Sequence, residues 1–335
     1  MNFLKVVLAM MAALFVPASA FADGVRAGTY TPVSEPPASA QVVTVGFYPV
    51  SFYEVNMGSS TYNLATYIWM RWKGPIDPSK TVEFTNLVEE WSKIQEPLLP
   101  EPEVLADGSH YQFWRIEGRF FQPFSLAKFP LDRQKLSLRI EDTASGADKL
   151  FYVIDSSNSG IGASVDIPGW KLLGWNAQSY SHDYGTNFGT LKDASSYSAM
   201  EFTTEIVRPL SFFIWKLLLP LFIVLCASVS GLLIRPQALD ARTGLPAGAL
   251  LTAIFLQKSY SDILPDLGYM VLMDKIYLVS YSLTALVLIR SITVHRAASE
   301  GDKAVVERIQ RTDRFIFVAI IFAFLLATAG LVYIN

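Results

Sequence analysis

Polar and apolar positions alternate along the first two thirds of the chain, then give way to long apolar runs. Val43, Val45 and Phe47 alternate with Val42, Thr44 and Gly46; Leu136, Leu138 and Ile140 alternate with Lys135, Ser137, Arg139 and Glu141; Met200, Phe202 and Ile206 alternate with Glu201, Thr203 and Glu205. Period two with one wet face predicts antiparallel strands. Many such strands, separated by Gly, Pro, Asn and Asp across residues 40–208, predict a β-sandwich. Residues 85–95 carry an amphipathic pattern that fits a short helix or a strand.

Behind this region the apolar runs are of membrane length. Residues 212–234 hold only Lys216, near the start where a lysine snorkels to the interface, and residues 315–334 hold no charge. The runs 245–256 and 276–289 are each short of the ~20 residues a span needs. They reach that length only by taking in Gln257, Lys258, Asp274 or Lys275, which are tolerable against water or protein and costly against lipid. The predicted spans are therefore about 210–234, 243–262, 269–294 and 314–334. Residues 290–314 contain six Lys and Arg, so the positive-inside rule makes this connection cytoplasmic, and Arg235 and Arg242 put the first short loop on the same side. Lys5, the apolar run 6–16 and the small residues after it read as a signal peptide over residues 1–22, with cleavage after Ala20 or after Ala22 fitting equally well and a short uncleaved anchor as the alternative. Residues 23–208 then lie outside the membrane and 209–335 in it. The expected class is an α+β membrane protein: an extracellular antiparallel β-sandwich followed by a four-helix bundle.

Composition narrows the function. The 335 residues are 51% hydrophobic and only 17% charged, with mean hydropathy +0.32, against roughly 25% charged in soluble proteins. That excludes a disordered chain or a basic nucleic-acid binder. The total charge of −3 divides into −7 over residues 23–208 and +3 over 209–335. Cys226 is alone, so neither an intrachain disulfide nor a cysteine-zinc cluster is expected. His110, His182 and His295 are far apart, and Gly160-Ile-Gly162 has Val165 where a dinucleotide fingerprint needs its third glycine. No metal, cofactor or catalytic residue is expected, and the chain does not read as an enzyme.

Phe129-Pro-Leu-Asp132-Arg-Gln134, followed by the strand 135–141, resembles the FPFDxQ signature of the pentameric ligand-gated ion channels, the Cys-loop receptor superfamily. In eukaryotic members two cysteines enclose that motif; here Gln122 and Leu136 stand at their positions. Missing cysteines, a leader peptide and a short cytoplasmic connection resemble the bacterial branch. The likeness runs on through Arg208-Pro209, Pro220 in the first span, and Ile263-Leu-Pro265 between the second and third. It implies a homopentamer in the bacterial inner membrane, its N-terminal domain and C-terminus in the periplasm. Its partners would be four further copies, a small-molecule agonist or protons, permeant inorganic ions and lipid.

The second span fits a pore. With Arg242 at its inner end, steps of three or four residues give one face: Gly244, Gly248, Leu251, Phe255, Lys258 and Asp262. Around a hydrated axis the glycines widen the inner half, and rings of Leu251 and Phe255 form an apolar gate. Pro246 falls in the first turn of a helix starting at 243. The spacing Gly244-Leu-Pro-Ala-Gly248 is also GxxxG, a helix-packing motif that needs no pore. Ala241 to Leu245 resembles anion-selective receptors, whereas Asp240 resembles an acid found in a proton-gated cation channel of the family. Asp240, Asp262 and the acidic outer domain favour cations. Lys258 argues the other way unless it turns towards Asp262. An anion channel is the alternative, as is a non-conducting periplasmic sensor.

The resemblance also implies an agonist site between subunits. Order of strands maps its loops near 100–104, 141–145 and 183–197, giving Glu103, Glu141, Tyr184 and Tyr197 on one face. Tyr67 and Trp69, with Arg71 on the same side of their strand, give the complementary face. Aromatics and carboxylates suit a cation or amine; Thr143 stands where the family usually has an aromatic, and Arg71 would suit a carboxylate instead. Asp132, Arg208 and Pro265 match the family's coupling positions, with Asp132 and Arg208 expected as an ion pair.

Overall fold

The computed structural model describes residues 28–189 and 196–334, so the expected leader lies outside the described residues. The chain forms two compact units. Among the described residues, one holds those within 28–124 and 133–208; the other holds Ser125–Asp132 with 209–334.

The first unit is built of two sheets. The five-stranded sheet has the order β1 (Thr29–Pro32), β10 (Lys171–Asp183), β11 (Ser196–Val207), β8 (Arg133–Gly146), β4 (Val82–Phe84). The six-stranded sheet has β5 (Ile94–Pro97), β7 (His110–Phe121), β3 (Thr61–Trp72), β2 (Gln41–Asn56) and β9 (Leu150–Ile154), with β6 (Glu103–Val104) also on β7. Every named pair is antiparallel except β2 with β9, which the alternation could not distinguish because strand direction leaves no mark on period two. The apolar sides meet in a shared core, where Phe47 of β2 stacks on Phe202 of β11 at 5.2 Å and Tyr62 of β3 donates to the Ser137 carbonyl of β8 at 2.7 Å.

Three expectations are corrected in this unit. Residues 85–95 form neither one helix nor one strand; they make a bridge at Leu87 to Phe120, a single 3₁₀ turn at Glu90–Ser92, and the start of β5. Ser137 and Glu141, read as facing water, are each 2% exposed. Asn86, on the segment after β4, donates to the Ser137 carbonyl and accepts from the Arg139 amide, so this side of β8 is roofed. Gln122, standing where the resembled receptors have a cysteine, accepts the Ser137 amide through Oε1 at 3.1 Å. A hydrogen bond thus ties the two ends of the 122–136 segment.

Four helices of the second unit are long and apolar enough to cross a membrane, which makes this a membrane protein: α1 (Phe212–Leu233), α2 (Leu239–Ser261), α3 (Leu272–Glu300) and α4 (Lys303–Ile334). α2, α3 and α4 are longer than the apolar runs indicated. The connection expected over 290–314 is almost wholly helical, interrupted only at Gly301 and Asp302, because its charged residues simply extend α3 and α4 past their apolar stretches. Since α2 begins at Leu239, Pro246 is inside the helix rather than in its first turn. Its missing N–H frees the Arg242 carbonyl, and Gly231 of α1 closes on that notch: a Cβ at Gly231 would lie 3.1 Å from the Arg242 oxygen.

One carboxylate joins three helices. Asp313 of α4, fully buried, accepts Arg242 Nη2 of α2 at 2.6 Å and Arg290 Nε of α3 at 3.0 Å. Arg242 is itself 0% exposed, and its Nη1 reaches the Ile234 carbonyl just beyond α1 at 3.3 Å. At the other end of the bundle Asp274 of α3 accepts from Gln257 at 3.1 Å, from the Tyr260 hydroxyl, and from its own N-terminal amide at Val271. The segment Ser125–Asp132 belongs to this unit through the first amides of α3: Leu272 N–H donates to Ala127 O at 3.0 Å and Met273 N–H to Phe129 O at 3.2 Å. The Phe129 ring stacks on Tyr260 at 5.9 Å.

Removing one partner from a buried ion pair typically costs ~3–5 kcal/mol, whereas replacing all partners with apolar groups is close to neutral. Asp313→Ala should therefore lower the thermal midpoint of the detergent-solubilised protein sharply, and Arg242→Met and Arg290→Met together with Asp313→Leu should recover most of it. Equal midpoints for Asp313→Ala and the native chain would show that the triad does not hold the bundle.

Candidate functional site

Three groups of side chains stand apart from the core. The first is an open cleft of about 480 Å³ on the six-stranded sheet, floored by Tyr48, Tyr67, Trp69, Tyr111 and Phe113 and edged by Arg71, Asp155 and Asn158. Tyr67, Trp69 and Arg71 come from alternate positions of β3, and Tyr111 and Phe113 from the paired strand β7, so period two puts their rings on one face. Trp69 lies across its neighbour strand because Gly46 has no side chain: a Cβ there would sit 1.9 Å from the indole. The indole N–H donates to Asp155 Oδ2 at 3.0 Å, and Asn158 donates to both oxygens of the same carboxylate. Arg71 is not a free cation, since it donates to Asp107 at 2.7 Å and to Ser109 at 2.9 Å. Hydrogen bonds from Ser109 and Arg71 hold the Asp107 carboxyl well below the usual range. A ligand carboxylate would have to displace Asp107, so the cleft favours a neutral or cationic aromatic-binding group over an anion.

The second group is on the five-stranded sheet. Glu141 of β8 and His182 of β10 meet at 2.8 Å (Oε2 to Nδ1) in a site where both are buried. The imidazole lies between two phenols, stacked on Tyr30 of β1 at 3.8 Å and 10° and tilted against Tyr184 at 3.9 Å and 43°. Tyr197 closes on Tyr184 at 5.9 Å, edge to face. Glu83 of β4 stands opposite Glu141 in the strand register. Burial, then the Glu141 charge, pushes the Glu83 carboxyl above its ordinary value. Burial together with the Glu141 carboxylate likewise pushes up the Tyr184 phenol.

Of the six expected agonist contacts, Glu141, Tyr184 and Tyr197 fall in this second group, and Tyr67 and Trp69 in the cleft. The cleft's lining includes none of the other four. Glu103 is not with Glu141: it is exposed on β6, paired with Tyr111 at the edge of the six-stranded sheet. The expected mapping near 100–104 fails because the short strand that pairs with Glu141 is β4, some twenty residues earlier, and Glu83 takes the position. Residues 190–195 of the expected loop 183–197 lie outside the described residues. Sequence reading also missed His182 and Tyr30. The available signal was the series Tyr180, His182, Tyr184, an aromatic face at period two.

The third group is a stripe along α2. Asp240, Gly244, Gly248, Leu251, Phe255, Lys258 and Asp262 are all exposed, while Arg242, Pro246, Ala249, Ala253 and Tyr260 on the opposite side are buried. A Cβ at Gly244 or Gly248 would meet nothing within 4 Å, so the GxxxG spacing packs against no described part of this chain. Lys258 pairs with Asp262 at 2.5 Å, one turn on, with both side chains more than half exposed. The coupling candidates are divided between the units. Asp132 is buried at the end of the segment that packs with the helices, and Pro265 borders a small polar cavity with Tyr260 and Asp274. Arg208 ends the sheet unit, buried, its guanidinium 4.2 Å from the Trp170 ring.

No family model matches the sequence.

The repulsion between Glu83 and Glu141 gives a pH-dependent test. A carboxyl raised in the fold binds a proton there more readily than in the unfolded chain, so stability falls as pH rises through its folded value. Glu83→Gln should raise the thermal midpoint by about 1–2 °C at pH 7 and leave it unchanged at pH 3.5, where the native side chain is already neutral. An identical gain at both pH values would remove the like-charge contact as the cause.

Proposed function

We propose that the chain is one subunit of a pentameric ligand-gated ion channel of the bacterial type, with α2 lining a central pore. The observation that carries this reading is the α2 stripe. Only 22% of the apolar stretch of α2 is buried, against 28%, 33% and 50% for α4, α1 and α3. The uncovered side carries Asp240, Lys258 and Asp262. Those groups are costly against lipid and natural against water. Five copies facing a shared axis supply the water without another partner. Leu251 and Phe255, 56% and 66% exposed in the single chain, would then form successive apolar rings that gate by dewetting.

Cations are the favoured permeant ions. Asp240 at one mouth and Asp262 at the other concentrate them, and the Lys258–Asp262 pair offsets the charge that would oppose them. Selectivity for anions is the alternative within the same reading. In the assembled ring the Tyr67–Trp69 cleft of one subunit and the Glu141–Tyr184–Tyr197 group of its neighbour would form the two halves of an agonist site. Asp132, Arg208 and Pro265 would carry its closure to α2. The protein would sit in the bacterial inner membrane with the sheet unit in the periplasm. A non-conducting sensor is less well supported, because α3 and α4 are separated by only Gly301 and Asp302, too little chain for an output domain.

Three experiments test this. With Cys226→Ser as background, Gly248→Cys or Leu251→Cys should make single-channel current in a planar bilayer sensitive to a water-soluble thiol reagent. Protein that passes no current, or cysteines unmodified under every activating condition, would end the channel reading. A reversal potential measured across a salt gradient decides charge selectivity. Asp132→Asn should yield folded oligomers whose maximal open probability falls several-fold at unchanged unitary conductance; native gating in that variant would take Asp132 out of the coupling path.

A further inference from the structure

The second side-chain group has the chemistry of a cation-binding box, and the box is full. Glu141 is 2% exposed, and a carboxylate withdrawn from water requires a counter-charge or several hydrogen bonds. Glu83 stands opposite it with the same sign. The nearest arginine on the same strand does not answer that demand: Arg139 lies 5.9 Å from the Tyr30 ring, and its guanidinium donates to Glu201 at 2.9 Å. His182 does answer it, through Nδ1 at 2.8 Å. The two rings that cover it, Tyr30 at 3.8 Å and Tyr184 at 3.9 Å, present the π faces that attract an organic cation. The three groups come from β1, β8 and the end of β10, so the box is made by the sheet and not by one loop.

We infer that His182 is a tethered occupant of this box, its ring holding the place that a small amine or imidazolium ligand would take, and that such a ligand binds there only when His182 is withdrawn. Two features favour His182 as ligand over His182 as ordinary core. A core histidine is covered by apolar side chains, whereas this one touches a carboxylate and two phenols. It is also near the end of β10, paired with Tyr30 on one side and Tyr197 on the other, so the ring leaves the box by rotation of the side chain with the strand in place. Among the described residues, the titratable and charged groups around the imidazole are Glu141 from β8, Glu83 from β4, Tyr30 from β1, and Tyr184 and Tyr197; Arg139 of β8 lies beside the Tyr30 ring and is paired with Glu201. That this occupancy governs opening rests on the channel reading above; the occupancy itself does not.

The test is therefore a binding measurement on the full solubilised chain, with imidazolium chloride as the probe and sodium chloride as the ionic-strength control. His182→Ala leaves a ring-sized vacancy between two phenols beside an uncompensated carboxylate. Its thermal midpoint should rise with millimolar imidazolium, by several degrees at saturation, while the native chain shows no rise. Adding Glu141→Gln to His182→Ala should abolish the rise. His182→Gln, which keeps a polar side chain in place, serves if the alanine variant does not fold and should respond in the same direction. A folded His182 variant that ignores imidazolium, a native chain that responds equally, or a response that survives Glu141→Gln would each overturn the assignment. None of these outcomes depends on whether the protein conducts, so a silent bilayer with a positive binding result would discard the channel and keep the box.

Discussion

The Asp313 carboxylate, buried between Arg242 and Arg290, sets what the rest of the helical unit presents. A charge taken out of water is tolerable only with its partners in place, so α2 can have only the rotation that turns Arg242 inward. Every other feature of α2 follows from that rotation. Pro246, Ala249, Ala253 and Tyr260 share the Arg242 side and are buried, and the small residues among them let α1 approach until Gly231 nearly touches the Arg242 carbonyl. The remaining side, with its glycines, large apolar residues such as Leu251 and Phe255, and three charges, is left without a covering helix of the same chain.

The polar residues that interrupt the middle apolar runs are disposed by the same economy. Gln257 and Asp274 face each other across α2 and α3 and are joined by Tyr260 and Tyr281, forming a second polar contact at the opposite end from Asp313. Lys258, adjacent in sequence to Gln257, points the other way and pairs with Asp262. Two residues that look equally awkward in a membrane run therefore have different fates. The difference is 100° of helix rotation, which hydropathy averages away.

In the sheet unit, the equivalent constraint is Gly46. It allows the Trp69 indole to lie flat across β2 and to reach Asp155, so that the aromatic cleft has a fixed floor and a fixed carboxylate. The opposite sheet solves a different problem with the same residue types: a buried glutamate is hydrogen-bonded by a histidine held between phenols. One is an open cleft, while the other is closed over a side chain of its own. A site shared between such halves would be regulated as much by its built-in occupant as by what arrives from solution.

The sequence alone determined the order of the two parts, the strand and span types, and the exposed face of α2, because those depend on periods of 2 and 3.6 residues that local chemistry imposes. It also picked out Tyr67, Trp69, Glu141, Tyr184 and Tyr197 as an aromatic and acidic set. It placed Glu103 wrongly and overlooked Tyr30, Glu83 and His182, since which strand neighbours Glu141 is a matter of sheet order that no periodicity records. It shortened α3 and α4, since hydropathy marks where lipid ends and not where hydrogen bonding ends. The burial of Glu141, the pairing of Arg242 with Asp313 and the filling of the box by His182 were decided by tertiary structure alone, because each joins residues at least 41 positions apart whose energies depend on what excludes water from them.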